Sequence, residues 1–142
     1  MKKLLICILA AMPLLFTSCE NSNEVKNSKE DVGEEHIAHV GDYVGYASPW
    51  YGYAKIYDGS MECVADYISI ASVGKVSSLK AVNYVPTSGW QKNIGITVGH
   101  GYVVKIEGRN DYSRIRILER IEKGGAIGYR IRVQDGWDPL KD

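Results

Sequence analysis

Sulfur and phenylalanine are scarce in this chain: three cysteines, three methionines and one phenylalanine among 142 residues. The cysteines are Cys7, Cys19 and Cys63, and only Cys63 lies beyond residue 35. The C-terminal part therefore cannot close a disulfide within itself, and its stability must come from its core. Excess charge of one sign is missing too, with 17 Lys and Arg against 17 Asp and Glu. That balance argues against a nucleic-acid partner, which a basic face would recruit. No apolar run reaches the roughly twenty residues that a membrane-spanning helix needs. Nucleophile-elbow, zincin and P-loop patterns are absent. Val98-Gly99-His100-Gly101-Tyr102 carries two glycines but no helix pattern after them, so it is not a phosphate cradle. No cofactor and no metal are expected.

The longest apolar stretch, residues 4–16, counts thirteen residues and is broken only by Pro13. It follows Met1-Lys2-Lys3, a short basic start, and precedes Thr17-Ser18-Cys19. Basic start, short apolar run and small residues together make a secretory signal. The small residues before Cys19 resemble the lipobox of bacterial lipoproteins, with Phe16 standing where Leu is usual. That resemblance implies cleavage after Ser18, a diacylglyceryl group on the Cys19 thiol and added acyl chains such as palmitate. Residues 1–18 are thus read as a lipoprotein signal peptide. Two or more acyl chains give a stable anchor where one gives only a marginal hold.

Residues 19–35 read as the lipidated cysteine followed by a disordered acidic tether. Residues 20–35 hold six acids, two lysines and no aromatic residue. Such a segment buries too little apolar surface to offset its ordering entropy. Sixteen residues would span ~50 Å extended and roughly 22 Å as a coil. Its like charges discourage contact with anionic headgroups.

Residues 36–142 make one domain. All ten tyrosines lie here, among many Val, Ile and Gly residues, which is strand-and-turn composition. Ile127-Gly128-Tyr129-Arg130-Ile131-Arg132-Val133 alternates without a break and places Ile127, Tyr129, Ile131 and Val133 on one face. Residues 112–117 supply a partner strand across the Glu122-Lys123-Gly124-Gly125 turn. The three-residue spacing of Ile115, Leu118 and Ile121 offers a helical alternative, which the β-branched content disfavours. Further strands are expected at 43–47, 53–57, 66–71, 79–85, 94–98 and 102–106. The fold class expected is all-β, a small antiparallel sandwich or barrel of about 7–8 short strands. A weak internal echo adds to this. Val40-Gly41 is followed by Tyr53-Ala54-Lys55-Ile56 much as Val98-Gly99 is followed by Tyr112-Ser113-Arg114-Ile115, a pattern that two similar hairpins would produce.

Three stretches carry a family likeness: Val85-Pro86-Thr87-Ser88-Gly89-Trp90, Val98-Gly99-His100-Gly101-Tyr102-Val103, and Tyr112-Ser113-Arg114-Ile115-Arg116-Ile117. Together they resemble a pattern in small lipoproteins of Bacteroidetes whose domains have no known function. The likeness covers roughly residues 66–134. It implies an organism class and a cell-envelope location, with the outer membrane first and its side undetermined. It implies no site residue.

Candidate chemistry is thin. His36 and His39 form an H-x-x-H pair without a helix or a third ligand, so they read as solvated histidines. Cys63 lacks a nearby base in sequence and reads as a small buried hydrophobe. Trp50, Tyr51 and Trp90 are the candidate ligand contacts, because exposed rings make platforms for sugars or protein partners. The opposing reading folds these rings back onto the core. The functional expectation is a membrane-anchored envelope lipoprotein presenting a non-catalytic β domain to a glycan or another envelope protein. The alternatives are an envelope hydrolase built on Cys63 and His100, and a structural subunit of an outer-membrane assembly.

Overall fold

The computed structural model describes residues 31–48 and 51–142, and among these it is all-β, without a helix. Nine strands follow in chain order: β1 Glu34–His39, β2 Tyr43–Ser48, β3 Tyr51–Tyr57, β4 Ser60–Cys63, β5 Ile68–Lys75, β6 Asn93–Gly95, β7 His100–Ile106, β8 Tyr112–Lys123 and β9 Ala126–Trp137. They form two antiparallel sheets, ordered β1-β9-β8-β7-β5 and β2-β3-β4-β6. The two sheets bury one shared core, and the architecture is a small β-sandwich.

The longest ladder is the expected hairpin. β8 and β9 pair down to Lys123 opposite Ala126, leaving Gly124 and Gly125 as a two-residue turn. Both glycines have positive φ, 60° and 82°, as a type I′ turn requires at its central positions. Strand alternation then divides the side chains by face. Ile115 and Ile117 of β8 and Tyr129 and Ile131 of β9 point into the shared core. The helical alternative for residues 115–121 does not form. The echoed segments belong to two antiparallel pairs, β2-β3 and β7-β8, one in each sheet.

The five-stranded sheet is covered on its outer face as well. Tyr102 and Val104 of β7 belong to the inner core, while Val103 between them joins a second cluster with Leu79, Val82 and Trp137. The long crossover from β5 to β6 supplies Leu79 and Val82, with Val85 and Trp90 packed beside them. Sequence patterning predicted a strand at 79–85, and the structure has an irregular loop there, closed by a Val82 N–H bond to the Leu79 carbonyl. The physical reason is spacing. Leu79, Val82 and Val85 recur every third residue, which suits a loop lying on a sheet and not a half-buried strand.

The described fold takes in part of the acidic segment. The acidic segment predicted to be tether through Glu35 includes the start of β1, which pairs with β9 from Glu34 opposite Val133 to His39 opposite Gly128. Two of these acids, Asp31 and Glu35, have partners here. Arg132 Nη2 donates to Glu35 Oε2 at 2.8 Å, and its Nη1 donates to the Asp31 carbonyl at 3.2 Å. The Asp31 carboxylate accepts the backbone N–H groups of Leu79 (2.6 Å), Lys80 (3.0 Å) and Val32 (3.0 Å). Partial burial pushes the Asp31 pKa up, but these three bonds and Arg132 outweigh it and hold the carboxyl below its usual value.

A pH dependence follows from that sign. A carboxyl whose folded pKa lies below its unfolded one stabilises the fold above the unfolded pKa, and the contribution disappears as pH falls through the folded value. Asp31→Asn should therefore cost about 1–2 kcal/mol at pH 7, the scale of charge-assisted hydrogen bonds at a half-open site. The difference from the parent should shrink to nothing once pH falls well below 4. Urea unfolding at pH 7 and pH 3 checks this. An equal deficit at both pH values would contradict it.

Candidate functional site

Of the four residues singled out from sequence, Cys19 and Trp50 lie outside the described residues. Tyr51 opens β3, and its side chain lies outside them too. Trp90 is half-buried. Its indole N–H donates to the Pro86 carbonyl at 3.0 Å, and the Lys105 ammonium sits 4.2 Å from the ring centroid. One ring face and the N–H are thus engaged within the fold, and the ring helps fasten the crossover to the sheet.

His36 and His39 stand three apart on a strand, so alternation sends them to opposite faces. Among the described residues, no three His, Cys, Asp or Glu side chains gather as metal ligands. Cys63 lies on β4 opposite Ala54, in the four-stranded sheet, whereas His100 opens β7 opposite Lys75 in the other sheet. Burial pushes the Cys63 thiol up to about 11; Lys92 pulls it down and Glu62 pushes it further up. Its Sγ lies 3.7 Å from the Gln91 carbonyl oxygen, to which it donates weakly. Such a thiol stays protonated near neutrality and is a poor nucleophile. Alkylation by iodoacetamide at pH 8 should run roughly a hundredfold slower than for a free cysteine, two pKa units being a hundredfold in thiolate. A rate equal to that of free cysteine would show that the thiol is activated.

A different group emerges on the outer face of the four-stranded sheet. Ala54, Ile56, Met61 and Ile94 fill inward positions and are buried. Alternation then turns Lys55, Tyr57, Glu62 and Asn93 outward. The register aligns Tyr43 with Lys55, Lys55 with Glu62, and Glu62 with Asn93, one row across all four strands. Tyr43 is 46% exposed and Tyr57 37%. The Lys55 ammonium lies 5.8 Å from the Tyr43 ring centroid and 5.7 Å from that of Tyr57, within cation–π range of both.

The surroundings of this row are held firmly. At one end, the Gly41 N–H donates to the Ile56 carbonyl at 2.8 Å, and the Ile56 N–H donates to the Asp42 carbonyl at 2.9 Å. Gly41 has φ of 102°, so the turn from β1 to β2 uses a conformation that glycine adopts without strain. At the neighbouring β3-β4 turn, on the same side of the row, Asp58 accepts from Arg120 Nε at 3.1 Å and Nη2 at 3.0 Å, and from the Tyr129 hydroxyl at 3.3 Å. That hydroxyl in turn accepts the Gly59 N–H at 2.8 Å. Beside Tyr43, a cleft of about 300 Å³ opens between β1 and β2, lined by His36, Ile37, Ala38, Gly41, Asp42 and Tyr43.

Sequence reasoning missed this group because its members come from four strands that only the register brings together. The signal available was the pair Lys55 and Tyr57 at strand spacing, flanked by inward Ala54 and Ile56. No family model matches the chain, and neither a curated protein nor a solved structure matches it.

Proposed function

We propose that this chain is a lipid-anchored lipoprotein of the bacterial cell envelope, whose all-β domain is presented for binding and carries out no catalysis. One observation carries the reading: Lys2-Lys3, the apolar run 4–16 and Thr17-Ser18 lead without interruption to Cys19. A basic start, a short apolar core and small residues before a cysteine suit export followed by lipidation. The resemblance to small lipoproteins of Bacteroidetes favours the outer membrane.

The domain's chemistry supports binding over catalysis. Cys63, the thiol of the hydrolase alternative, is shifted toward its inert protonated form and shares no sheet with His100. The side chains left facing solvent in an ordered row are rings, an ammonium, a carboxylate and an amide on rigid strands, which suits recognition.

The test is the mass of the N-terminal peptide of the protein recovered from bacterial membranes. The expected peptide begins at Cys19 and carries diacylglycerol with a further acyl chain. A membrane-derived chain that begins at another residue, or at an unmodified Cys19, would overturn the reading.

A further inference from the structure

We infer that the outer face of the four-stranded sheet, from the cleft beside Tyr43 to Asn93, binds an uncharged glycan chain. This rests on the binding role proposed above and gives it a site and a ligand class.

Two exposed tyrosines, Tyr43 and Tyr57, flank Lys55 on this face. Tyr43 is shared between the cleft and the row, so concave and flat surfaces are continuous. The cleft volume falls at the low end of the roughly 300–1,000 Å³ typical of small-molecule sites. It suits one residue of a chain whose neighbours lie along the row.

The charges decide among ligands. Lys55 and Glu62 stand opposite each other and cancel, and Asp42 borders the cleft. A polyanion would meet Glu62 and Asp42, and a polycation would meet Lys55. A protein interface needs a dry core, and here the Lys55 ammonium would have to shed water between the two tyrosines, a desolvation cost that a dry interface does not return. A neutral glycan avoids both penalties. Its C–H faces stack on rings such as Tyr43 and Tyr57. Its hydroxyls both donate and accept, so they meet the Lys55 ammonium, the Glu62 carboxylate and the Asn93 amide without a net charge of their own. The rings sit beside two turns, Gly41-Asp42 and Asp58-Gly59, that hydrogen bonds hold in place, which lowers the entropy lost on binding.

The test uses the full lipidated protein in detergent micelles. Titration calorimetry is run with maltohexaose, cellohexaose, xylohexaose and chitohexaose. Saturable binding of at least one is expected. Tyr43→Ala and Tyr57→Ala should each weaken it at least tenfold, while Tyr43→Phe and Tyr57→Phe keep it within about threefold because the rings remain. Lys55→Met should weaken it with both rings intact. Tyr84→Ala, at an exposed tyrosine outside the row, should leave it unchanged. The Phe variants keep the test decisive if either Ala variant unfolds. Absence of heat with all four sugars would overturn the inference, as would binding that survives both Ala variants. A concentration-dependent dimer abolished by Tyr43→Ala would overturn it by giving the face to a second copy of the chain. The N-terminal peptide mass from the same preparation reports the anchor separately, so either reading can fail alone.

Discussion

Arg114→Ala should destabilise the domain by about 3–5 kcal/mol, the range for breaking a buried ion pair from one side. For a domain of this size that is roughly 10–20 °C in melting temperature. Arg114 is fully buried. Its Nη1 pairs with the Asp142 carboxylate at 2.5 Å and donates to the Val82 carbonyl at 2.8 Å, and its Nε donates to Gln134 Oε1 at 2.8 Å. Its guanidinium carbon also lies 4.9 Å from the Trp137 ring centroid. One side chain thus joins the crossover loop, β9 and the C-terminal segment, and its removal leaves a cavity beneath the second cluster as well as orphaned acceptors. Asp142→Ala should cost less, about 2–3 kcal/mol, because its carboxylate is partly exposed and water can reach the gap it leaves. It also deprives Trp137 Nε1 of its acceptor, now 2.8 Å away. Thermal unfolding of the two single variants and the double variant measures the coupling. A double variant that costs the full sum of the singles would mean that the pair acts as two independent residues.

Cys19→Ala should remove the protein from carbonate-washed membranes and abolish incorporation of labelled palmitate. A single myristoyl chain supplies an affinity of about 10⁴ M⁻¹, and stable anchoring needs a second signal. Losing every acyl chain should therefore lower membrane partition by at least about four orders of magnitude. Any precursor that keeps residues 1–18 is distinguished by its larger mass. A variant that stays carbonate-resistant at the mature mass would defeat the lipid-anchor reading.

The two outcomes bear on different parts of the chain, and sequence made those parts legible to different degrees. The β8-β9 hairpin was readable because alternation and a Gly-Gly turn are local signals. β1 was not, since Glu34-Glu35-His36 looks like solvated linker until Arg130 and Arg132 of β9, about a hundred residues later, provide counter-ions. β4 escaped notice because a four-residue strand with one fully buried side chain, Met61, has no measurable period. The apolar content of 79–85 suits a strand by sequence, yet in the fold it covers the outside of a sheet. Trp90 drew attention as a large ring, yet its worth in the fold depends on Lys105 and Pro86, neither of which sequence could place against it. The Tyr43, Lys55 and Tyr57 group needed the pairing of β2 with β3, and register across a hairpin with a bulge between Tyr46 and Ser48 is not a local property.

The Asp31 and Arg132 contacts have a mechanical meaning. Any pull arriving along the backbone from residue 30 reaches the domain at Asp31, just ahead of the first ladder pair of an edge strand, Glu34 with Val133. An edge strand loaded from its end peels, its pairs parting singly and each at low force. Asp31 grips the Leu79 and Lys80 amides while Arg132 grips the Asp31 and Gly33 carbonyls, so load enters the body of the sandwich before it reaches the zipper. The clasp is a strain relief, like the collar where a cable enters its plug. Weakening it should lower the force at which β1 detaches more than it lowers the stability of the whole.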